Sequence, residues 1–189
     1  MGKNTKGEKS KELIIKCAAL LFIQKGYTAT GINDILKIAD LPKGSFYFYF
    51  NSKKDLAIAV AEYFIKLKRD QILEAAEGRT WDEFVEKLVG NLIKVAEKNS
   101  NYGCPVAVLG TEIAFSEPDI AKKYSSALPI TIDIFANVLK KSGMPEEKVI
   151  ILAERAFAVY QGRLLFYRLS RDVSELEKLI TDMKVLVQK

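Results

Sequence analysis

The chain has 189 residues, 49% hydrophobic and 28% charged, with a formal net charge of +5, which fits one compact domain or a small module joined to a larger one and excludes a disordered or fibrous protein. Its longest apolar run, Cys17 to Ile23, is too short to span a bilayer, histidine is absent, and cysteine occurs only at 17 and 104. Ser-His-Asp and Cys-His catalysis, the HExxH site and four-ligand zinc are therefore excluded, and the expectation is a cytoplasmic protein, not an enzyme, with no metal, no cofactor, no membrane and no export or lipid signal.

Charge is unevenly spread. Residues 1 to 54 hold ten lysines and four acids, whereas residues 55 to 189 hold nineteen basic and twenty acidic side chains. All the excess positive charge lies in the first third, as in a segment that meets a polyanion, nucleic acid above all.

Apolar residues recur at three and four with no strand-like alternation, so the predicted fold is all-α with about nine helices. The first spans Ser10 to Gln24, with Leu13, Cys17, Leu20, Leu21 and Gln24 on its inner side, and stops at Lys25-Gly26. Thr30 is placed to cap a short helix over Ile32 to Ala39, Asp40-Leu41-Pro42 makes a turn, and Lys43 to Phe50 forms another short helix. Ser52 and Asp55 open a long helix to about Ala76, and Thr80 and Glu83 open the next, to about Lys98, before the break at Asn99 to Gly103. Cys104-Pro105 starts a helix to Phe115, and Ser116 with Asp119 starts another that reaches Lys141 with a kink at Pro129. Pro145 begins a very apolar helix to about Leu169, and Asp172 with Glu175 caps the last one.

The stretch from Gly26 to Leu56 carries the functional signal. Two short helices joined by a tight turn, the second rich in hydroxylic and aromatic side chains, have the pattern of a helix-turn-helix. With Ile32, Ile35 and Ile38 facing the first helix and Phe46 and Phe50 in the same core, Lys43, Gly44, Ser45, Tyr47 and Tyr49 are left on the other face. Lys43 brings charge, Gly44 allows close backbone approach, the hydroxyls can bond phosphates or base edges, and Tyr47, Tyr49 and Lys53 suit phosphate contacts. No arginine precedes Arg69, so bidentate arginine to guanine is excluded from base reading here.

The string Gly26, Tyr27, Ala29, Thr30, Asp34, Ile35, Ala39, Gly44-Ser45, Tyr47, Tyr49-Phe50, Ser52-Lys53 and Leu56 resembles the TetR family of bacterial transcriptional regulators. Two positions depart from the family pattern: Asp40 where glycine is usual in the turn, and Leu36 where a small alanine is usual. Gly103-Cys104-Pro105-Val106-Ala107, Glu112 and Glu117-Pro118 look like the branch that contains lincomycin-resistance and flavonoid-responsive repressors. The resemblance implies a three-helix DNA-binding domain over residues 1–50, with Thr30 joining the DNA contacts, and a helical ligand-binding and dimerisation domain over 51–189. It implies a homodimer on a near-palindromic double-stranded operator, released when a small-molecule inducer moves the two heads apart.

Tyr63, Trp81, Tyr102, Phe115, Tyr124, Phe157 and Tyr160 are candidates to line an apolar cavity, with Cys104 beside them and Glu112 or Gln161 as polar anchor, and each aromatic can equally fill a helical core. Val173, Leu176, Ile180, Met183 and Val187 recur at three and four, and Leu164 lies in a segment apolar on more than one face. These are the expected dimer contacts. A helical enzyme using Glu112, Tyr160 and lysines, and a ligand-independent architectural DNA binder, are the competing classes. The first lacks a paired-carboxylate or phosphate-loop motif, and the second lacks a basic surface beyond the first third.

Overall fold

The computed structural model describes residues 6–98 and 103–188. Among these described residues the fold is all-helical, with ten helices: α1 Lys6–Lys25, α2 Ile32–Ala39, α3 Gly44–Tyr49, α4 Lys53–Ala76, α5 Trp81–Glu97, α6 Pro105–Ile113, α7 Pro118–Ser125, α8 Ala127–Lys141, α9 Glu146–Ser170 and α10 Ser174–Val185. The tenth arises because the helix expected to run from Ser116 to Lys141 is two, divided at Ser126. Pro129 has no N–H for the Ser125 carbonyl four residues back, so the chain ends one helix there and begins another instead of kinking.

Helix ends follow local chemistry. Gly26, at φ +91, closes α1 with its N–H donating to the Phe22 carbonyl (2.8 Å), a left-handed stop that suits glycine. Asp34 reaches back to accept the Gly31 N–H (3.0 Å) at the start of α2. Ser52 accepts the Asp55 N–H (3.1 Å) ahead of α4, and Glu83 accepts both the N–H and the hydroxyl of Thr80 at the start of α5 (2.9 and 2.8 Å).

The chain packs as two compact units, divided after Lys66, Cys104 and Ser125. Besides α1 to α3, the first unit holds the opening part of α4 together with α6 and α7. Its buried side chains include Ile14, Ala18, Leu21 and Phe22 of α1, Ile35 and Leu36 of α2, Phe46 of α3 and Leu109 and Ile113 of α6. The inner side of α1 is thus rotated from the expected one, with Leu13, Leu20 and Gln24 outward, because Ile14, Ala18, Leu21 and Phe22 make the larger continuous apolar stripe. On α2, Leu36 is inside and Ile38 is half exposed, the reverse of the expected Ile38 contact.

The second unit holds the rest of α4 with α5, α8, α9 and α10. Trp81, Phe84, Phe135, Phe157 and Tyr160 form one aromatic cluster with ring centroids 5.4 to 6.3 Å apart, favourable edge-to-face geometry in most pairs. Helix α10 packs on α5 and α9. The Trp81 indole N–H donates to the Met183 carbonyl (3.0 Å), and Arg163 of α9 donates to Glu175 (2.6 Å) and Asp182 (2.7 Å) of α10.

Candidate functional site

Helices α2 and α3 meet at the turn Asp40-Leu41-Pro42, with Asp40 left-handed (φ 51) and the Leu41 N–H on the Leu36 carbonyl (3.1 Å). Aspartate enters that region more readily than most residues, so the turn closes without the glycine usual in the family. Phe46 is fully buried against Phe50, centroids 5.7 Å apart, which fixes α3 by its inner face. Its outer face is then open: Lys43, Gly44, Tyr47 and Phe48 are exposed, and Ser45 and Tyr49 are half-buried. Nothing lies within 4 Å of a Cβ built on Gly44, so the backbone there is accessible to a close-approaching surface.

Phe48, 79% exposed, is a side chain that sequence reasoning passed over. Its edge-to-face contact with Tyr49 (4.9 Å) leaves most of its ring in solvent. The signal was available in the spacing: with 46 and 50 inside, residue 48 falls outside. Lys53 stands over the Tyr27 ring (4.4 Å) with its ammonium 3.4 Å from the Thr28 carbonyl, and burial lowers its pKa despite Glu112 and Glu117.

Thr30 does not sit with this face. It is 1% exposed and its hydroxyl donates to the Gly26 carbonyl (2.7 Å), so it neither caps α2 nor presents its side chain to DNA. Hydroxyl burial requires an internal acceptor, and the Gly26 carbonyl is the one in reach.

Glu112 also differs from its expected place. Instead of lining a ligand cavity, its carboxylate accepts the backbone N–H groups of Tyr27 (3.0 Å) and Thr28 (3.0 Å) in the α1–α2 loop. Two adjacent amides attract an acceptor strongly, and a carboxylate with two oxygens matches both.

The other residues expected in one cavity fall in the two units. Tyr63 is half-buried, Tyr124 is buried with its pKa raised by burial and by Glu112, and Phe115 is fully exposed, all in the first unit. Phe115 therefore lines no enclosed space. In the second, Trp81 and Phe157 belong to the aromatic core, and Tyr102 lies outside the described residues. Cys104, Tyr160 and Gln161 do come together: the Gln161 amide N–H donates to the Cys104 sulfur (3.5 Å), and its carbonyl oxygen is buried without a partner. Burial pushes the Tyr160 hydroxyl pKa up, with Cys104 acting in the same sense. Burial lowers the pKa of Lys68, with Cys104 acting in the opposite sense, and among the described residues no carboxylate is paired with its ammonium. Lys68 was not among the expected residues, because a lysine in the middle of a long helix reads as solvated. A groove of about 600 Å³ is lined by Leu73, Ala76, Ile134 and Val138 among others, and none of the expected ligand residues borders it.

The residues expected at a dimer interface divide by their burial within the chain. Leu176 and Met183 are fully buried and Leu164 nearly so within the chain's own bundle, whereas Val173, Ile180 and Val187 are half-buried. The α10 stripe is filled by α5 and α9, which uses its apolar face for the protomer core. An open apolar face lies instead on α9, where Ile151, Ala158, Leu165, Phe166 and Leu169 are exposed and Gly162 has open space above it.

A short helix set across a second by a tight turn, its polar-aromatic face uncovered, makes the first unit a helix-turn-helix head, the hallmark of a DNA-binding regulator. Residues 14–60 match the family model for bacterial regulatory proteins of the tetR family, and residues 82–181 match that for the C-terminal domain of LmrA/YxaF-like transcriptional regulators. An uncharacterized HTH-type transcriptional regulator in the lacX 3' region of Lactococcus lactis subsp. lactis is 30% identical, covering 95% of this chain and 94% of its own. The HTH-type transcriptional repressor NemR of Escherichia coli K12 is 24% identical over 99% and 98% of the two chains. The crystal structure of a TetR-family regulator from Cytophaga hutchinsonii superposes with a TM-score of 0.86 at 21% identity, covering both chains fully. The chain belongs to the TetR family of bacterial transcriptional regulators.

Proposed function

We propose that this protein is a cytoplasmic, ligand-responsive repressor that binds a near-palindromic operator as a homodimer and is released by an apolar, aromatic small molecule. The observation that carries the DNA-binding part is the uncovered face of α3, where Lys43, Gly44, Tyr47 and Phe48 are exposed on a helix held by the buried Phe46. Lys43 and Ser45 read base edges, Phe48 meets thymine methyls, and Tyr47, Tyr49 and Lys53 meet phosphates.

The outer face of α9 is our candidate for the homodimer seam. Ile151, Arg155, Ala158, Gly162, Leu165 and Leu169 recur at four and three along its outer side, the spacing of a helix seam. The small residues at its centre let a second helix approach closely. The inducer is placed at Gln161, Cys104, Tyr160 and Lys68, where the unpartnered Gln161 oxygen supports a ligand with an aromatic body and a hydroxyl or N–H donor.

A duplex selected from a random pool by the full-length protein tests this reading. With roughly 6 to 8 phosphates met by the dimer, some of them by uncharged donors that release no counterion, log K falls against log salt with a slope of about −4 to −7. Lys53→Ala weakens binding to all duplexes alike, whereas Lys43→Ala also relaxes preference at one or two base pairs. A salt-independent affinity removes the proposal.

A further inference from the structure

We propose that Glu112 is a positioning residue for DNA recognition: it sets the recognition motif by holding the two backbone N–H groups that lead from α1 into α2. This rests on the DNA-binding reading of α3 and adds a residue that touches no DNA.

Three observations meet at this point. The Glu112 oxygens take the N–H groups of Tyr27 and Thr28, one each, at 3.0 Å. A Cβ on Gly26 would lie 2.8 Å from Glu112 Oε1, so the loop backbone and the carboxylate are in close contact, and any side chain there would push the carboxylate from its place. The same loop is tied into the helix-turn-helix by the Thr30 hydroxyl on the Gly26 carbonyl (2.7 Å), by the Thr30 N–H on the Tyr27 carbonyl (3.3 Å), and by Tyr27 packed edge-on to Phe22 (5.4 Å).

Glu112 itself lies on α6, which packs against α7. Helix α7, which follows α6, is joined to α4 through Lys54 to Asp119 (2.7 Å) and Lys123 to Glu62 (2.7 Å). Tyr27 and Thr28 are therefore held from a helix 84 to 85 residues further along the chain. Because α2 begins immediately after this loop and α3 follows α2 across the Asp40 turn with Phe46 fully buried, the grip bears on the angle at which α3 is presented. Sequence-specific binding needs that angle, since side chains must reach base edges. Attraction to phosphates in general does not.

Charge and position make opposite predictions. Removing one exposed negative charge from a DNA-facing unit strengthens attraction to every duplex. Loss of a positioning contact weakens binding only to the selected sequence.

The test compares wild type, Glu112→Ala and Glu112→Gln on a duplex selected by the wild type and on an unrelated duplex of the same length. Glutamine keeps one acceptor oxygen and turns an N–H₂ toward the second amide, so it retains one of the two bonds at most. The expected result is a loss of about tenfold for alanine and about threefold for glutamine on the selected duplex, as hydrogen bonds to a charged acceptor are removed. The unrelated duplex shows no loss, and the salt slope stays unchanged. Amide exchange at Tyr27 and Thr28 accelerates in the same order while the melting temperature moves little. Gly26→Ala loses less in the Glu112→Ala background than in wild type, the non-additivity of groups in contact. Equal loss on both duplexes, equal gain on both, or no change at either overturns the assignment. If the wild type itself selects no duplex, the DNA-binding reading fails, which is a separate result from wild-type selection with indifferent Glu112 variants.

Discussion

At the scale of single residues, the surroundings decide what a polar side chain does. Thr30, Glu112 and Gln161 were all candidates to touch a ligand or DNA, and only Gln161 keeps an unsatisfied atom, a buried carbonyl oxygen. Lys68 is the complementary case, a half-buried lysine for which burial lowers the pKa from its ordinary 10.5. Between its folded and unfolded pKa values the unfolded chain holds a proton that the folded chain has released, so stability rises with pH across that window. Below it, the folded chain carries a charge it solvates poorly. Lys68→Met therefore raises the melting temperature at pH 7, by about 2 to 4 °C for roughly 1 kcal/mol, and the advantage narrows as pH climbs toward 10.5. Thermal melts of both proteins from pH 6 to 10 check this, and an equal or lower melting temperature for the variant at pH 7 contradicts it.

At the scale of elements, what was legible in the sequence was local. The α2–turn–α3 motif, the Ser52 and Glu83 capping bonds and the glycine stop of α1 were readable because each depends on residues within a few positions of one another. Periodicity located α10 but could not say what covers it, since a stripe filled by α5 and α9 looks the same in sequence as one filled by a second subunit. The rotation of α1 and the exchange of Ile38 for Leu36 were hidden for a related reason: both helices are apolar on more than one side, and the choice falls to long-range packing. The left-handed Asp40 was readable from the residue and can be tested as an element. Asp40→Gly removes the Cβ penalty of that conformation, outweighing the added freedom of the unfolded chain, and stabilises by about 0.5 to 1 kcal/mol. A rise of roughly 1 to 4 °C in melting temperature is expected, with selected-duplex affinity unchanged. A fall in melting temperature would mean that the Asp40 side chain makes a compensating bond.

At the scale of the whole molecule, a near-palindromic operator requires two heads related by a twofold axis, so the surface that joins the subunits is part of the DNA-binding apparatus. Two helices offer apolar residues, and their burial separates them. On α10, Leu176 has no exposed surface, so Leu176→Glu buries a charge at a cost of several kcal/mol and unfolds the second unit. On α9, Leu165 is about half exposed and Leu169 is 75% exposed in the isolated chain, so a glutamate at 165 is solvated in a monomer and meets its own symmetry mate only in a dimer. Leu165→Glu therefore keeps its helical circular dichroism and a cooperative melt, sediments as a monomer at micromolar concentration, and loses at least tenfold in affinity for the selected duplex while a half-site duplex is bound as by wild type. Leu176→Glu loses helicity and both affinities together. A Leu165→Glu protein that remains dimeric moves the interface off this face of α9, and a Leu176→Glu protein that stays folded but monomeric returns it to α10.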